Sequence, residues 1–299
     1  MMLVPDYICE VILHPLEDLG IKAVFYPVDD QFAPDWDFID KIQAKTPADA
    51  FLLVHYFGQP QDIERAKKFC DLHGIWFIED NAHGHGGTLN GQPVGSFGDM
   101  GFSSPRKQLQ SASGGSLCLK TSHVENKQEV LPVYRVSRSK EIIRNIIRTF
   151  PRFKARLRRL IRPKPDYSDP LAFQEYRIGY FSADPHSLQS IFDENWNEHA
   201  ESRRRNWLAW SEFATNKGLR PVWSEPHPES CPWVLPVYAN SLNVRLDWFI
   251  KSRKHGFDFF PWPALPREVL LSSSIAIHRW QHLICIPLFQ SPSRLLSKE

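Results

Sequence analysis

Lys107 follows Phe102-Ser103-Ser104-Pro105-Arg106, a segment that reads as a strand end turning into a helix, and Gly114-Gly115 stands shortly after it. A lysine at the ligand edge of a sheet can form a Schiff base with an aldehyde if its amine is reachable and partly desolvated. Ser103 can donate to a phosphate oxygen, and Arg106 can offset phosphate charge. The competing reading of Lys107 is a solvated surface lysine, the commoner fate of this residue type. Asp80 stands just past the apolar run Ile75 to Ile78, in the acidic pair Glu79-Asp80. An aspartate there can keep a pyridinium nitrogen protonated, as an electron-sink cofactor requires; it can equally cap a helix or form a turn. His83-Gly84-His85 lacks a third ligand at metal spacing, and there is no His-Glu-x-x-His. His83 instead reads as a neighbour of Asp80 facing the same pocket. His83 and His55 can each also be a satisfied structural histidine. No Gly-x-Gly-x-x-Gly, P-loop or Gly-x-Ser-x-Gly motif is present.

These residues need a scaffold, and the apolar pattern supplies one. Ile21–Tyr26, Ala50–His55, Ile75–Ile78 and Ser116–Leu119 read as strands. Gln61–Leu72 has helical spacing and stops at Gly74. Strand–helix–strand units at this spacing predict an α/β fold with a mainly parallel sheet, whose ligand sits beyond the carboxyl ends of the strands. Glu79–His83 and Phe102–Lys107 both fall there. Further on, Ser190–Phe213 reads as one long helix, Trp233–Tyr238 as a strand, Leu246–His255 as a helix ending at Gly256, and Ile284–Leu288 as a last short strand. The expected organisation is a large domain over 1–134, a basic amphipathic helical connection over 135–169, and a smaller α/β domain over 170–299.

Bulk composition narrows the class. The chain has 299 residues, 42% hydrophobic residues and a formal charge of +2. That supplies material for a sizeable core and no global basic excess of the kind a nucleic-acid binder shows. The five cysteines are odd in number and irregularly spaced, which suits a reducing compartment rather than a disulfide framework. No secretory leader and no membrane-length apolar run are visible, so the expected location is the cytoplasm. The near-neutral total hides one local excess, because Arg135–Lys164 holds twelve basic residues against the single acid Glu141. That stretch either lies on an anionic membrane surface or is a solvated face that attracts a diphosphate.

Four segments in order are more specific than any residue alone: Val54-His-Tyr-Phe-Gly-Gln-Pro60, Ile78-Glu-Asp-Asn-Ala-His83, Val94-Gly-Ser-Phe-Gly-Asp99 and Phe102-Ser-Ser-Pro-Arg-Lys107. With Gly114-Gly115 they resemble the DegT/DnrJ/EryC1/StrS family of pyridoxal-phosphate-dependent sugar aminotransferases, of fold type I. Leu3–Tyr7, Phe25–Asp29, Cys231–Pro236 and Ile284–Pro287 sit where the family has similar stretches. The resemblance implies that Lys107 holds the cofactor as a Schiff base and shuttles a proton, and that Asp80 pairs with the pyridine nitrogen. His83 takes the Gln or His position beside the ring and its phenolic oxygen, and Ser103 binds the phosphate. It further implies a homodimer and a ping-pong transfer of an amino group, usually from glutamate, to a keto group of a nucleotide-linked sugar.

Some family features are changed. The chain opens after the family's Gly-Thr phosphate-binding unit, so weaker phosphate binding and an exposed sheet edge are expected. Cys9 stands where an aromatic stacks on the ring, unless Tyr7 serves instead. Glu175-Tyr-Arg177 is a faint echo of the family's Asn-Tyr-Arg, and Ser113-Gly-Gly115 replaces Asp-Gly-Gly. The alternative implied by these changes is a binding or scaffold subunit that keeps the fold without the reaction.

Overall fold

The computed structural model describes residues 1–109, 111, 113–120, 131–134, 166–173, 179–262 and 264–292. The basic stretch Arg135–Lys164 and the Glu175-Tyr-Arg177 echo lie outside the described residues.

Strand and helix alternate through the first half: β1 (Met2–Pro5), α1 (Leu13–Asp18), β2 (Ala23–Tyr26), α2 (Trp36–Lys45), β3 (Ala50–Val54), α3 (Ile63–His73) and β4 (Trp76–Asn81). A two-residue-per-strand hairpin, β5 (Thr88–Leu89) and β6 (Gln92–Pro93), precedes β7 (Met100–Ser103), α4 (Pro105–Leu109) and β8 (Ser116–Leu119). The helices begin where the sequence supplies a cap. Asp35 accepts from Phe38 N–H and Asp62 from Arg65 N–H. The α3 helix stops at Gly74, whose φ of 63° is the left-handed geometry a glycine takes without strain.

The six-stranded sheet runs β2-β1-β3-β4-β7-β8. All neighbours pair in parallel except β7 with β8. Parallel strands with apolar residues on both faces must be covered on both sides, and Leu52, Leu53 and Val54 of β3 are accordingly buried. At the edge, all four residues of β8 are exposed. Register puts the chemistry at one end of the sheet: Val54 pairs with Asp80, Asp80 with Phe102, and Asn81 with Ser103.

The second half holds α5 (Pro185–Phe192), α6 (Trp196–Asn216), β9 (Arg220–Pro221), β10 (Val234–Tyr238), α7 (Leu242–Lys254), α8 (Arg267–Ser272), α9 (Ser274–His282) and β11 (Leu283–Pro287). The antiparallel order is β11-β10-β9. The single helix expected over Ser190–Phe213 is two. Its apolar periodicity runs through the join, but Asn195 turns its side chain back to accept from Glu198 N–H and starts a new helix.

Two apolar cores result. One, around Trp207, Trp210, Phe249, Phe257 and Ile286, belongs to the second half. The other joins the first strands to Trp262, Trp280 and Cys285 from near the other end of the chain. Two long-range links tie that junction. Ser273 Oγ donates to Asp6 Oδ2, and Arg279 Nη2 donates to the carbonyls of Val28 and Asp29. Among the described residues, no helix is long and apolar enough to cross a membrane.

Candidate active site

Two consecutive residues near the end of β4, Glu79 and Asp80, divide their work by strand alternation. Glu79 points into the protein, fully buried, against the equally buried His55; Nε2 and Oε2 are 3.0 Å apart. The carboxylate also accepts the N–H groups of Gly95, Phe97 and Gly98 at 3.2, 2.6 and 2.7 Å. His55 Nδ1 accepts from Gln61 N–H, so the proton of a neutral ring is on Nε2, facing Glu79. Burial pushes the Glu79 carboxyl up, but the hydrogen bond from His55 and the backbone donors outweigh it and hold it below the usual range. Gly101 has to be glycine here, because a Cβ on it would run into the Gly95 carbonyl.

Asp80 is buried at 7% exposure and accepts from Ala82 N–H at 2.8 Å. Burial raises its pKa, and the Ala82 hydrogen bond and the charge of Lys107 oppose that rise. His83 is also buried. Its Nδ1 accepts the N–H of Phe57 at 3.2 Å, which leaves Nε2 to carry the proton. Phe57 presents that N–H from a left-handed backbone, with φ of 58°. The His83 ring stacks on Trp233 at 4.6 Å and meets Trp262 edge-on at 5.3 Å. Burial, with the charge of Lys107 added, keeps His83 neutral well below an ordinary imidazole pKa.

Lys107 lies in the middle of α4, its Nζ 4.9 Å from the centre of the Trp233 ring. Its charge acts on both Asp80 and His83. The structure therefore brings Lys107, Asp80 and His83 to one place. Ser103 ends the neighbouring strand, but its Oγ lies 2.7 Å from His85 Nδ1, and Trp196 packs edge-on against that imidazole at 4.5 Å. Tyr7 is wholly buried between Phe32 and Trp262, with the Arg279 guanidinium over its ring, so it belongs to the core and not to this edge. Cys9 is half-buried, just ahead of a short 3-10 turn over Glu10–Ile12.

Trp233 and Arg203 escape sequence reasoning. Trp233 immediately precedes β10 and donates its N–H to the Phe57 carbonyl at 3.0 Å, which docks the second sheet on the turn after β3. Arg203 sits in α6, 2% exposed, with its pKa pushed down to about 10 by burial. Nothing at their positions in the sequence distinguishes them from a core tryptophan and a surface arginine. Glu79 was detectable, because a charge at the end of an apolar strand needs buried partners.

The donor set tests for a cofactor. It comprises a buried carboxylate, a neutral imidazole with its donor side defined, an amine over an aromatic face and a nearby hydroxyl. These fit the pyridine nitrogen, phenolic oxygen, aldehyde and phosphate of pyridoxal phosphate. The architecture is that of the fold type I pyridoxal-phosphate-dependent transferases. Residues 12–159 match the model of the DegT/DnrJ/EryC1/StrS aminotransferase family, and through them the chain belongs to that family, whose cofactor is pyridoxal phosphate. It is 42% identical over 77 residues to the GDP-perosamine synthase of Vibrio cholerae, covering 25% of this chain and 20% of that one. It is 40% identical over 103 residues to the UDP-N-acetyl-3-dehydro-alpha-D-glucosamine 3-aminotransferase of Acidithiobacillus ferrooxidans, covering 33% of this chain and 27% of that one. Those matches thus span about a fifth to a quarter of the relatives' lengths. A sugar aminotransferase of Streptococcus pneumoniae, solved in its PLP form, superposes with a TM-score of 0.62 at 16% identity, over 97% of this chain and 76% of that one.

Proposed function

We propose that this chain is a pyridoxal-phosphate-dependent aminotransferase that moves an amino group, with glutamate as donor, to a keto group of a nucleotide-linked sugar. The observation that carries the reading is the convergence of Lys107, Asp80 and His83 at the carboxyl ends of the parallel strands. The family supports the reaction class, and the two sugar-modifying relatives support the substrate class. We place the protein in the cytoplasm as a homodimer, on the cysteine usage and on the family's habit of building sites from two subunits.

Bound in this site, pyridoxal phosphate supplies the electron sink that makes a proton on the carbon bearing the donor's amine removable. The residues of the chain do the rest. Asp80, as an anion, would accept a hydrogen bond from the protonated pyridine nitrogen, and that partner would offset the burial that raises its pKa. His83 has Nε2–H left as its donor, since Phe57 occupies Nδ1, and that donor would serve the phenolic oxygen. Lys107 would hold the aldehyde end of the cofactor through its amine, and the same amine, when free, would be the group that moves a proton. Trp233 and Trp262 exclude water from one side of this machinery. Ser103, whose hydroxyl lies against His85, would be the group to hold the phosphate.

The test adds the cofactor to purified protein, reduces with borohydride and maps the modified peptide by mass spectrometry. A cofactor mass fixed at Lys107 supports the reading. Absence of fixation there at saturating cofactor overturns it. A scaffold subunit is the second reading, favoured by the Ser103–His85 contact and by Cys9 at the stacking position. It predicts that Lys107→Ala leaves the cellular phenotype unchanged.

A further inference from the structure

One guanidinium joins the two parts of the chain that hold Lys107 in place. Arg203 Nη2 donates to the carbonyl of Gln108 at 2.9 Å, the residue after Lys107 in α4. Nη1 donates to the carbonyls of Pro232 at 3.2 Å and Trp233 at 2.9 Å. The residue that follows the lysine and the tryptophan beneath its amine are thus clamped by their main-chain carbonyls to the same side chain. The third edge is used as well, since Nε donates to His199 Nε2 at 2.7 Å, and His199 Nδ1 faces Glu194 Oε1 at 2.9 Å. With Nε2 of His199 accepting, its Nδ1 carries the proton and donates to Glu194. A buried cation thereby reaches an acidic partner on the protein's own surface through one imidazole. Gln108 adds a second strut in the same gap, its Nε2 donating to the carbonyls of His83 and Cys231 at 2.9 Å each.

We propose that Arg203 is a positioning residue for Lys107: by holding the Gln108 and Trp233 carbonyls at one guanidinium, it seats the lysine amine on the Trp233 face beside Asp80 and His83. The catalytic meaning of that seat rests on the aminotransferase reading; the seat itself does not. The planar fork explains why the residue is arginine. Three carbonyls and one imidazole nitrogen surround it in directions that a lysine ammonium cannot serve together. Resting on Trp233 shields the amine, so an amine lifted off the ring becomes more accessible to an acylating reagent.

The experiment is competitive acetylation of the cofactor-free protein at fixed pH. Mass spectrometry reads the rate at Lys107 against exposed Lys67 in the same sample. Arg203→Gln and Arg203→Lys are compared with Ile39→Ala, a core truncation in α2 that controls for lost stability. Relative labelling of Lys107 is expected to rise about fivefold in both arginine variants and to stay at the wild-type value in Ile39→Ala. Arg203→Lys keeps the charge and still fails to restore the seat. Should Arg203→Gln not fold, Arg203→Lys alone carries the comparison. An unchanged Lys107 rate in a folded arginine variant overturns the proposal, as does an equal rise in Ile39→Ala. Borohydride fixation of the wild type is scored separately. Its failure removes the cofactor reading and leaves the labelling result standing, and the opposite pattern removes only Arg203's role.

Discussion

His55 and Glu79 form a pair that solvent does not reach, 3.0 Å apart, and the same carboxylate gathers the backbone of the Gly95–Gly98 turn. Because Glu79 directly precedes Asp80, this inward anchor fixes where the outward carboxylate stands. Glu79→Gln puts an amide NH2 among four donors and leaves at least one of them unpaired. A stability loss of about 3 kcal/mol is expected by denaturant titration, in the range for breaking a buried pair. A loss below about 0.5 kcal/mol, typical of surface positions, would show the brace to be dispensable.

The same carboxyl makes a pH prediction. Its folded pKa lies below its unfolded value, so its contribution is complete above about pH 4.3 and disappears as pH falls through the folded value. The stability gap between wild type and Glu79→Gln should therefore be constant near neutrality and close under acid. A gap that widens below pH 4 contradicts this sign.

His83 titrates in the other window. Burial depresses its folded pKa, so the unfolded chain takes up a proton near pH 6.5 while the native protein does not. Its contribution is full above that value and erodes as pH drops below it. Nitrogen-15 spectra should show Nε2 protonated and Nδ1 bare between pH 6 and 8. A doubly protonated ring at pH 6 would remove the fixed-donor role.

Gly101→Ala tests the close approach of β7 to the Gly95 turn. The added methyl collides with backbone, which cannot swing aside like a side chain. A loss of about 3 kcal/mol is expected in chemical denaturation.

The parallel sheet and the clustering of Asp80, His83 and Lys107 were legible because they rest on local pattern: buried apolar runs, capped helices and motifs that end on strand tips. The join between α5 and α6 was not, since the apolar stripe passes through it and only the side chain of Asn195 breaks it. Trp233 and Arg203 were illegible for a different reason. Their roles come from contacts with Lys107 and Gln108, about a hundred residues away, and no periodicity encodes such a meeting. The hydroxyl of Ser103 was legible as a polar group at the site, but its engagement with His85 was not.

The core that joins the first strands to Trp262, Trp280 and Cys285 has a consequence for biogenesis. During synthesis, β1 to β4 leave the ribosome long before the indoles that complete their packing exist. Tyr7 and Tyr56 must wait, uncovered, for more than two hundred residues of translation. Contacts of such separation close slowly and leave an aggregation-prone sheet in the interval. The nascent chain is therefore a natural client for chaperones that shelter aromatic surfaces, and truncation ahead of Trp262 would strand it in that state.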